Sequence, residues 1–220
     1  MHFMDSGEVW ITLRKTHRSC RMKLKARSFL LIVAVLMVLC SGKPADAGEP
    51  TGAIRGAVNQ GVEILRNGKL DTQQQRAQVI DRLRQIVYPL FDFGEMAKRS
   101  LGSNWRRLNP QQQKEFVSAF TALLEKTYAD QIDLYNGQKV VYTGESIDAD
   151  YAQVDSRIID KNGQTFSVAY RLHKVDGRWK IYDVVAENIS LINNYRSQFN
   201  RVIARSSFEE LLKIMKQRAS

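Results

Sequence analysis

The sequence predicts an α+β fold in which helices cover one face of an antiparallel sheet. Three observations support this prediction. Apolar side chains recur at helical spacing from residue 51 to about residue 135. Four segments with strand-like character follow, and helical spacing returns after about residue 190. Because helices stand on both sides of a sheet with one apolar face, the expected arrangement is a single domain in which they cover that face.

The N-terminal half is expected to contain four helices. The predicted ranges are 51–66, a cap at Asp71 or Thr72 followed by a helix to Leu90, 91–102, and a long helix from Asn109-Pro110 to about Tyr135. An asparagine followed by proline is a typical helix start, because the side chain accepts from free N–H groups and proline fits the first turn. A glycine at position 102 is a typical helix end.

The predicted sheet is a four-stranded antiparallel meander. Its strands read KVVYTGESI, YAQVDSRII, QTFSVAYRLHKV and RWKIYDVVA. The connections Asp148-Ala149-Asp150, Asn162-Gly163 and Asp176-Gly177 are short and rich in turn residues, so consecutive strands are expected to pair as hairpins. In the third strand Val168 and Tyr170 alternate with more polar neighbours, which leaves one apolar face.

Two more helices are expected after the sheet. The first carries Ile192, Tyr195 and Phe199 at helical spacing. The second begins at Ser207, which forms a predicted capping box with Glu210. These helices can complete the cover over the apolar face of the sheet.

Residues 1–47 have the pattern of an upstream extension followed by a cleaved signal peptide. A basic stretch, RMKLKAR, precedes the 13-residue apolar run SFLLIVAVLMVLC, and Ala45-Asp46-Ala47 then supplies a cleavage site. The apolar run is short for a membrane span. We expect cleavage after Ala47 and a single domain over residues 48–220. A lipoprotein modified at Cys40 and an uncleaved anchor are the alternatives.

Removal of residues 1–47 changes the charge and the available chemistry. The remaining chain has 25 Lys plus Arg and 20 Asp plus Glu, a net charge of about +5 rather than +10. Its charges are mixed along the chain, whereas nucleic-acid binding usually requires a concentrated basic face. It retains no cysteine and a single histidine, His173. Thiol catalysis and zinc sites built on Cys or His are therefore not expected.

One acidic residue and one histidine are the candidates for catalysis. Asp183 lies in the apolar segment WKIYDVV, where it could act as a general base. The simpler interpretation pairs it with an arginine such as Arg171 or Arg196. His173 follows Leu172 in a strand and is expected at the surface, on the more polar face of the sheet. No second catalytic group accompanies either residue, so we predict no enzyme activity, no cofactor and no metal.

Two long stretches closely resemble the MlaC family, also called the toluene-tolerance family. They are FDFGEMAKRSLGSNWRRLNPQQQKEFVSAFTALLEKTYADQI (91–132) and YRLHKVDGRWKIYDVVAENISLINNYRSQF (170–199). The matching motifs include FDF, DGRWK-x-YDVV and ISL-x-x-NYR-x-QF, and the likeness covers roughly residues 50 to 215. A departure is Ala186-Glu187-Asn188, where the family often has a small residue such as glycine.

The resemblance implies a non-catalytic lipid carrier in the periplasm, with bound phospholipid as its cargo in an apolar pocket enclosed by the sheet and helices. The implied partners are an inner-membrane ABC transporter with an MCE-domain subunit and an outer-membrane lipoprotein-porin complex. A hopanoid-associated branch of the family is similar, so a hopanoid or another lipid is the alternative cargo. A less favoured alternative is an enzyme with a cone-shaped fold that uses Asp183.

Residue alternation and the matching motifs together select the residues that are expected to line the lipid pocket. They are Phe93, Met96, Leu101, Phe120, Leu124, Tyr128, Tyr142, Val168, Tyr170, Ile181, Val184, Ile189, Leu191 and Tyr195. Each has the alternative role of ordinary core, and about half of them are expected to contact lipid.

Overall fold

The computed structural model describes residues 50–129, 132 and 135–219. Its helices are α1 (Pro50–Asn67), α2 (Gln73–Leu90), α3 (Phe93–Leu101), a 3₁₀ helix (Gly102–Arg107), α4 (Pro110–Ala129), α5 (Leu191–Arg205) and α6 (Phe208–Ala219). Its strands are β1 (Lys139–Asp148), β2 (Tyr151–Ile159), β3 (Thr165–Val175), β4 (Arg178–Ala186) and β5 (Ile189–Ser190). The predicted leader, residues 1–47, lies outside the described residues.

The α+β fold class is confirmed, with one small difference in the sheet. The strands pair in the order β1-β2-β3-β4-β5, and every pair is antiparallel. The fifth strand has only two residues, Ile189 and Ser190. A segment this short carries too little alternation to be recognised in a sequence.

The predicted helix starts agree with the observed caps. Thr72 rather than Asp71 caps α2, in a reciprocal capping box with Gln75. The Asn109 side chain accepts from the N–H of Gln112 at 2.9 Å, just before α4. The N–H of Glu210 donates to Ser207 Oγ at 3.2 Å at the start of α6. The described part of α4 ends at Ala129, before the predicted limit near Tyr135.

The buried apolar residues form two separate clusters. The main core lies between the inner face of the sheet and helices α1, α3, α4, α5 and α6, and it includes Phe116, Phe120 and Tyr170. A second, smaller cluster joins Ile64 and Leu65 to residues of α2 and to Ile132. The candidate site described below lies in the space between these two clusters.

The described helices contain no segment that is both long and apolar enough to cross a bilayer.

Candidate functional site

The main cavity lies between α2 and α4 and has a volume of about 450 Å³. This is within the range of about 300–1,000 Å³ that is typical of ligand pockets. Its apolar lining comprises Ile80, Leu83, Val87, Phe91, Phe93, Met96, Ala122, Leu124, Tyr128, Ala129, Ile132, Val184, Leu191 and Ala219. The lining includes members of both apolar clusters, so the cavity occupies the space where the two cores would otherwise meet.

The position of α2 explains why this space is open. The helix packs on α1 and on β4, and Lys180 Nζ donates to the Pro89 carbonyl at 2.8 Å near its C-terminal end. Only Val79, Leu83 and Leu90 are buried along its 18 residues. Ile80 and Val87 are only partly buried: each packs against the edge of an apolar cluster and also lines the cavity. The helix α2 is therefore a wall of the site.

Aromatic side chains form the end of the cavity next to β4. The rings of Tyr88 and Phe93 have centroids 5.0 Å apart, and those of Phe91 and Phe93 are 5.9 Å apart. The backbone between them is fixed to the sheet, because the N–H of Asp92 donates to the Ile181 carbonyl at 2.9 Å. Aromatic packing of this kind gives a rigid apolar surface.

Polar side chains lie at one side of the main cavity and connect α2 to α4. Arg84 Nε and the Tyr88 hydroxyl both donate to Oε1 of Glu125, each at 2.6 Å. Arg84 also forms an ion pair with Asp81, and Lys126 is a further cation in the lining. Burial, with a contribution from the bond to Glu125, raises the pKa of Tyr88 to about 12. We call Arg84, Tyr88, Glu125 and Lys126 the polar rim.

A side cavity of about 230 Å³ adjoins the main cavity. Tyr128 and Leu191 line both, so these two residues separate them. The side cavity lies among α4, α5 and α6 and includes polar groups such as Thr127 and Arg218 in its lining. Burial raises the pKa of Tyr128 and of Tyr195, so both hydroxyls stay protonated further into the alkaline range than a free tyrosine does.

The predicted pocket residues fall into three groups. Phe93, Met96, Leu124, Tyr128, Val184 and Leu191 line the main cavity, and Tyr195 lines the side cavity. Leu101, Phe120, Val168, Tyr170 and Ile181 are buried in the main core, and Tyr142 packs against it. Ile189 is 43% exposed. Which of them contact lipid stays a prediction.

Sequence reasoning did not select the wall formed by α2 or the polar rim. Ile80, Leu83 and Val87 have the spacing of an ordinary amphipathic helix, which looks the same whether its apolar face packs on a core or faces a cavity. The rim residues Arg84 and Glu125 lie 41 residues apart and meet only through the fold. Nothing in their local sequence indicates this contact.

Asp183 is buried and holds the junction between β4 and α5 together. It accepts hydrogen bonds from Arg171 Nη1 at 3.2 Å, from Ser190 Oγ at 2.7 Å and from the N–H of Ile192 at 3.1 Å. The predicted arginine partner is thus Arg171, whereas Arg196 donates to the Arg99 carbonyl. Asp183 lines neither cavity.

The prediction of a surface histidine at position 173 is wrong. The side chain of His173 is only 17% exposed, and its Nε2 lies 3.0 Å from Oδ2 of Asp92. Its ring packs edge-on against Tyr182, with centroids 5.6 Å apart. The strand alternation correctly placed it opposite Leu172, but the N-terminal end of α3 covers that part of the sheet. Among the described residues, no cluster of His, Cys, Asp and Glu is suited to hold a metal ion.

Comparison with known proteins assigns this fold to a family. A family model described as MlaC protein matches residues 55–217. The chain belongs to the MlaC family. The resemblance of the two long motifs is therefore confirmed, and the match covers most of the described residues.

Relatives in the family are named for lipid transport or for solvent tolerance. The chain is 24% identical over 182 residues to the toluene tolerance protein ttg2D of Pseudomonas putida, covering 82% of this chain and 83% of that protein. It is 24% identical over 143 residues to the intermembrane phospholipid transport system binding protein MlaC of Haemophilus influenzae, covering 63% of this chain and 67% of that protein.

A solved structure has the same fold and contains a lipid. It is the phospholipid-binding protein from Ralstonia solanacearum in complex with a phospholipid. It aligns with a TM-score of 0.64 at 29% identity and covers 80% of this chain and 97% of that chain. The observed α+β architecture is therefore similar to that of the phospholipid-binding protein from Ralstonia solanacearum.

Proposed function

We propose that this MlaC-family chain is a non-catalytic periplasmic carrier that binds a phospholipid in the main cavity and moves it between the two membranes. The observation that carries the proposal is an apolar cavity of about 450 Å³ open between two helices. A relative with the same fold and 29% identity holds a phospholipid. The family relative in Haemophilus influenzae is named for intermembrane phospholipid transport.

The physical need for such a carrier follows from the cost of exposing acyl chains to water. Each methylene costs about 0.8 kcal/mol, so two chains with about thirty methylenes cost on the order of 25 kcal/mol. A carrier has to cover those chains and still release them. A cavity with mainly apolar contacts serves both needs, because it supplies area without many directional bonds that hold one ligand in place.

The proposal includes export and two membrane partners. Residues 1–47 would serve as an extension and a signal peptide that is cut after Ala47, which leaves residues 48–220 as the lipid-binding domain. In the periplasm the carrier would receive and deliver phospholipid at an inner-membrane ABC transporter with an MCE-domain subunit and at an outer-membrane lipoprotein-porin complex. These partners follow from membership in the family rather than from a surface of this chain.

The two alternative functions, a hopanoid carrier and an enzyme, require different features of the site. A hopanoid carrier would use the same apolar cavity but would not need cations at its side. An enzyme based on Asp183 would need that carboxylate to face a ligand. Its three hydrogen bonds instead go to the β4–α5 junction, which favours a structural role.

A tryptophan in the main cavity tests the carrier proposal. Leu124 is 5% exposed and lines the cavity, so Leu124→Trp should fill part of the space that a chain would occupy. We expect it to slow protein-dependent transfer of a fluorescent phospholipid from phosphatidylglycerol vesicles to acceptor vesicles by roughly tenfold, the effect of about 1.4 kcal/mol on binding. Unfolding in urea should remain cooperative.

A matched variant controls for the added tryptophan. Val141 is 46% exposed on β1 and lines neither cavity, so Val141→Trp should transfer lipid like the unaltered protein. Transfer by Leu124→Trp at the unaltered rate would remove the main cavity as the cargo site. An unaltered protein that accelerates no transfer at all would count against the carrier function itself.

A further inference from the structure

Two hydrogen-bond donors of α2 meet a carboxylate of α4 in the lining of the main cavity. Arg84 and Tyr88 on α2 both donate to the same oxygen of Glu125 on α4, each over 2.6 Å. Lys126 lines the cavity beside Glu125. The Glu125 side chain is 31% exposed, so this carboxylate lies at the border between the apolar cavity and solvent. The Glu125 carboxylate is thus held by a guanidinium and a phenol, and the guanidinium also pairs with Asp81, which lies outside the cavity lining.

The charges of the polar rim fit an anionic ligand better than an uncharged one. The described lining of the main cavity includes two cations, Arg84 and Lys126, and one carboxylate, Glu125. The Arg84 side chain is 42% exposed and Lys126 is also exposed, so both cations can meet an anionic headgroup at the border between the cavity and solvent. An uncharged lipid would add no partner for them, whereas a phosphate diester would supply one. Guanidinium groups bind phosphate with strong, charge-assisted hydrogen bonds.

We propose that the polar rim is a phosphate-binding subsite and that Glu125 occupies the position of the lipid phosphate when no lipid is bound. When acyl chains enter the main cavity, the phosphate accepts from Arg84 and Tyr88, with Lys126 as the adjacent cation. Glu125 then turns toward solvent. This inference rests on the proposed carrier function and makes Arg84 a specificity-determining residue that selects lipids with a phosphate over neutral lipids such as diacylglycerols and hopanoids.

The proposal differs from a purely structural role for the same contacts. If Arg84 and Glu125 only hold α2 against α4, then loss of either partner should weaken the site for every lipid in the same direction. If Glu125 competes with phosphate, loss of its charge should strengthen binding of a phosphate lipid, while loss of Arg84 should weaken it. Opposite signs for the two variants are the signature of a shared anion subsite.

Two soluble lipids with identical chains provide the test. Protein produced from residues 1–220 and stripped of lipid is titrated by calorimetry with dioctanoylphosphatidylglycerol below its micelle concentration and with dioctanoylglycerol below its solubility limit. We expect the unaltered protein to prefer the phosphate lipid. Arg84→Gln should weaken binding of that lipid by roughly tenfold, the typical effect of one charge-assisted bond, and leave dioctanoylglycerol binding unchanged.

Further variants guard against loss of fold and against general charge effects. Tyr88→Phe removes one hydrogen-bond donor without a change of charge and should weaken binding of the phosphate lipid by a few-fold. Glu125→Gln should strengthen binding of the phosphate lipid by a similar factor. Arg82→Gln on the same helix and Glu115→Gln on α4 change the same charges at positions that line neither cavity, so both should bind like the unaltered protein.

Two results would overturn the inference. One is equal affinity of the unaltered protein for the two lipids. The other is a loss of affinity for both lipids alike in Arg84→Gln and Glu125→Gln, which would assign these residues to helix packing. Either result leaves the carrier function standing, since lipid is still bound. Failure to bind either lipid would instead contradict the carrier function, and this inference with it.

Discussion

At the scale of single residues, Asp183 illustrates how a buried acid can be structural. Its carboxylate accepts hydrogen bonds from a side chain on β3, from a hydroxyl on β5 and from a backbone N–H in the first turn of α5. Replacement by asparagine exchanges one acceptor for a donor and leaves a buried donor without its partner. We expect Asp183→Asn to lower the free energy of unfolding by about 1–3 kcal/mol. Lipid binding should not change, because Asp183 lines neither cavity.

Urea denaturation with calorimetric lipid titration measures both effects. Asp148→Asn is the control, because Asp148 is exposed at the end of β1. Unaltered stability in Asp183→Asn would show that these hydrogen bonds contribute little. Loss of a lipid-modifying activity with binding intact would revive the enzyme alternative.

Two tyrosines of the main cavity, Tyr88 and Tyr128, and the core tyrosine Tyr170 make stability decrease at alkaline pH. Burial raises the pKa of Tyr88 to about 12 from an ordinary value of 10.0, and it also raises the pKa of Tyr128 and Tyr170. In the unfolded chain these phenols ionise near pH 10, whereas in the folded protein they stay protonated. Their contribution to the free energy of unfolding is therefore complete below about pH 10. It is lost as the pH rises through the pKa values that these groups have in the folded protein.

We expect the free energy of unfolding to fall between about pH 10 and pH 12. Tyr88→Phe should make this fall shallower, because one of the ionisable groups is removed. Urea denaturation at a series of pH values measures the slope. An identical slope in Tyr88→Phe would mean that Tyr88 ionises alike in the folded and unfolded states.

At the scale of elements, the three hairpins that join β1 to β4 were predictable, and the turn between β1 and β2 contains a strained alanine. Gly163 and Gly177 have positive φ, as their turns require, and Asp176 has φ 49°. Ala149 in the β1–β2 turn also has φ 49°, which is unfavourable for a residue with a Cβ. Ala149→Gly should therefore stabilise the protein by about 0.5–1 kcal/mol.

Thermal unfolding followed by circular dichroism tests this expectation. Gly177→Ala, at φ 76°, is the reciprocal control and should lower the melting temperature. A lower melting temperature for Ala149→Gly would indicate that the added backbone freedom of the unfolded chain outweighs the relief at this turn.

The helix α2 was predictable as an element, but its role as a wall of the main cavity was not. Its cap, its length and its apolar face follow from Thr72 and from the spacing of Val79 and Leu83. Whether that face packs on a core depends on the distance between α2 and α4, which no local pattern encodes. The predicted pocket residues therefore include residues of α3, α4 and β4 that line the main cavity, but they include none of the lining residues of α2.

At the scale of the whole molecule, the fold keeps apart two apolar clusters that a ligand can join. The chain carries enough apolar side chains for a full core, and many predicted pocket residues, such as Phe120 and Tyr170, belong to that core. Composition and alternation cannot separate residues that fill space from residues that surround it. The polar rim depends on long-range contacts for the same reason, so it too emerges only from the fold.

Native mass spectrometry of the protein expressed from residues 1–220 in a Gram-negative host shows whether the main cavity carries a phospholipid. The protein is purified from the periplasm without detergent, and the released ligand is identified by fragmentation. We expect a chain that begins at Gly48 and carries an adduct of phospholipid mass. A hopanoid adduct would contradict the phosphate-binding rim. A protein that remains free of ligand after incubation with phosphatidylglycerol vesicles would contradict the carrier function.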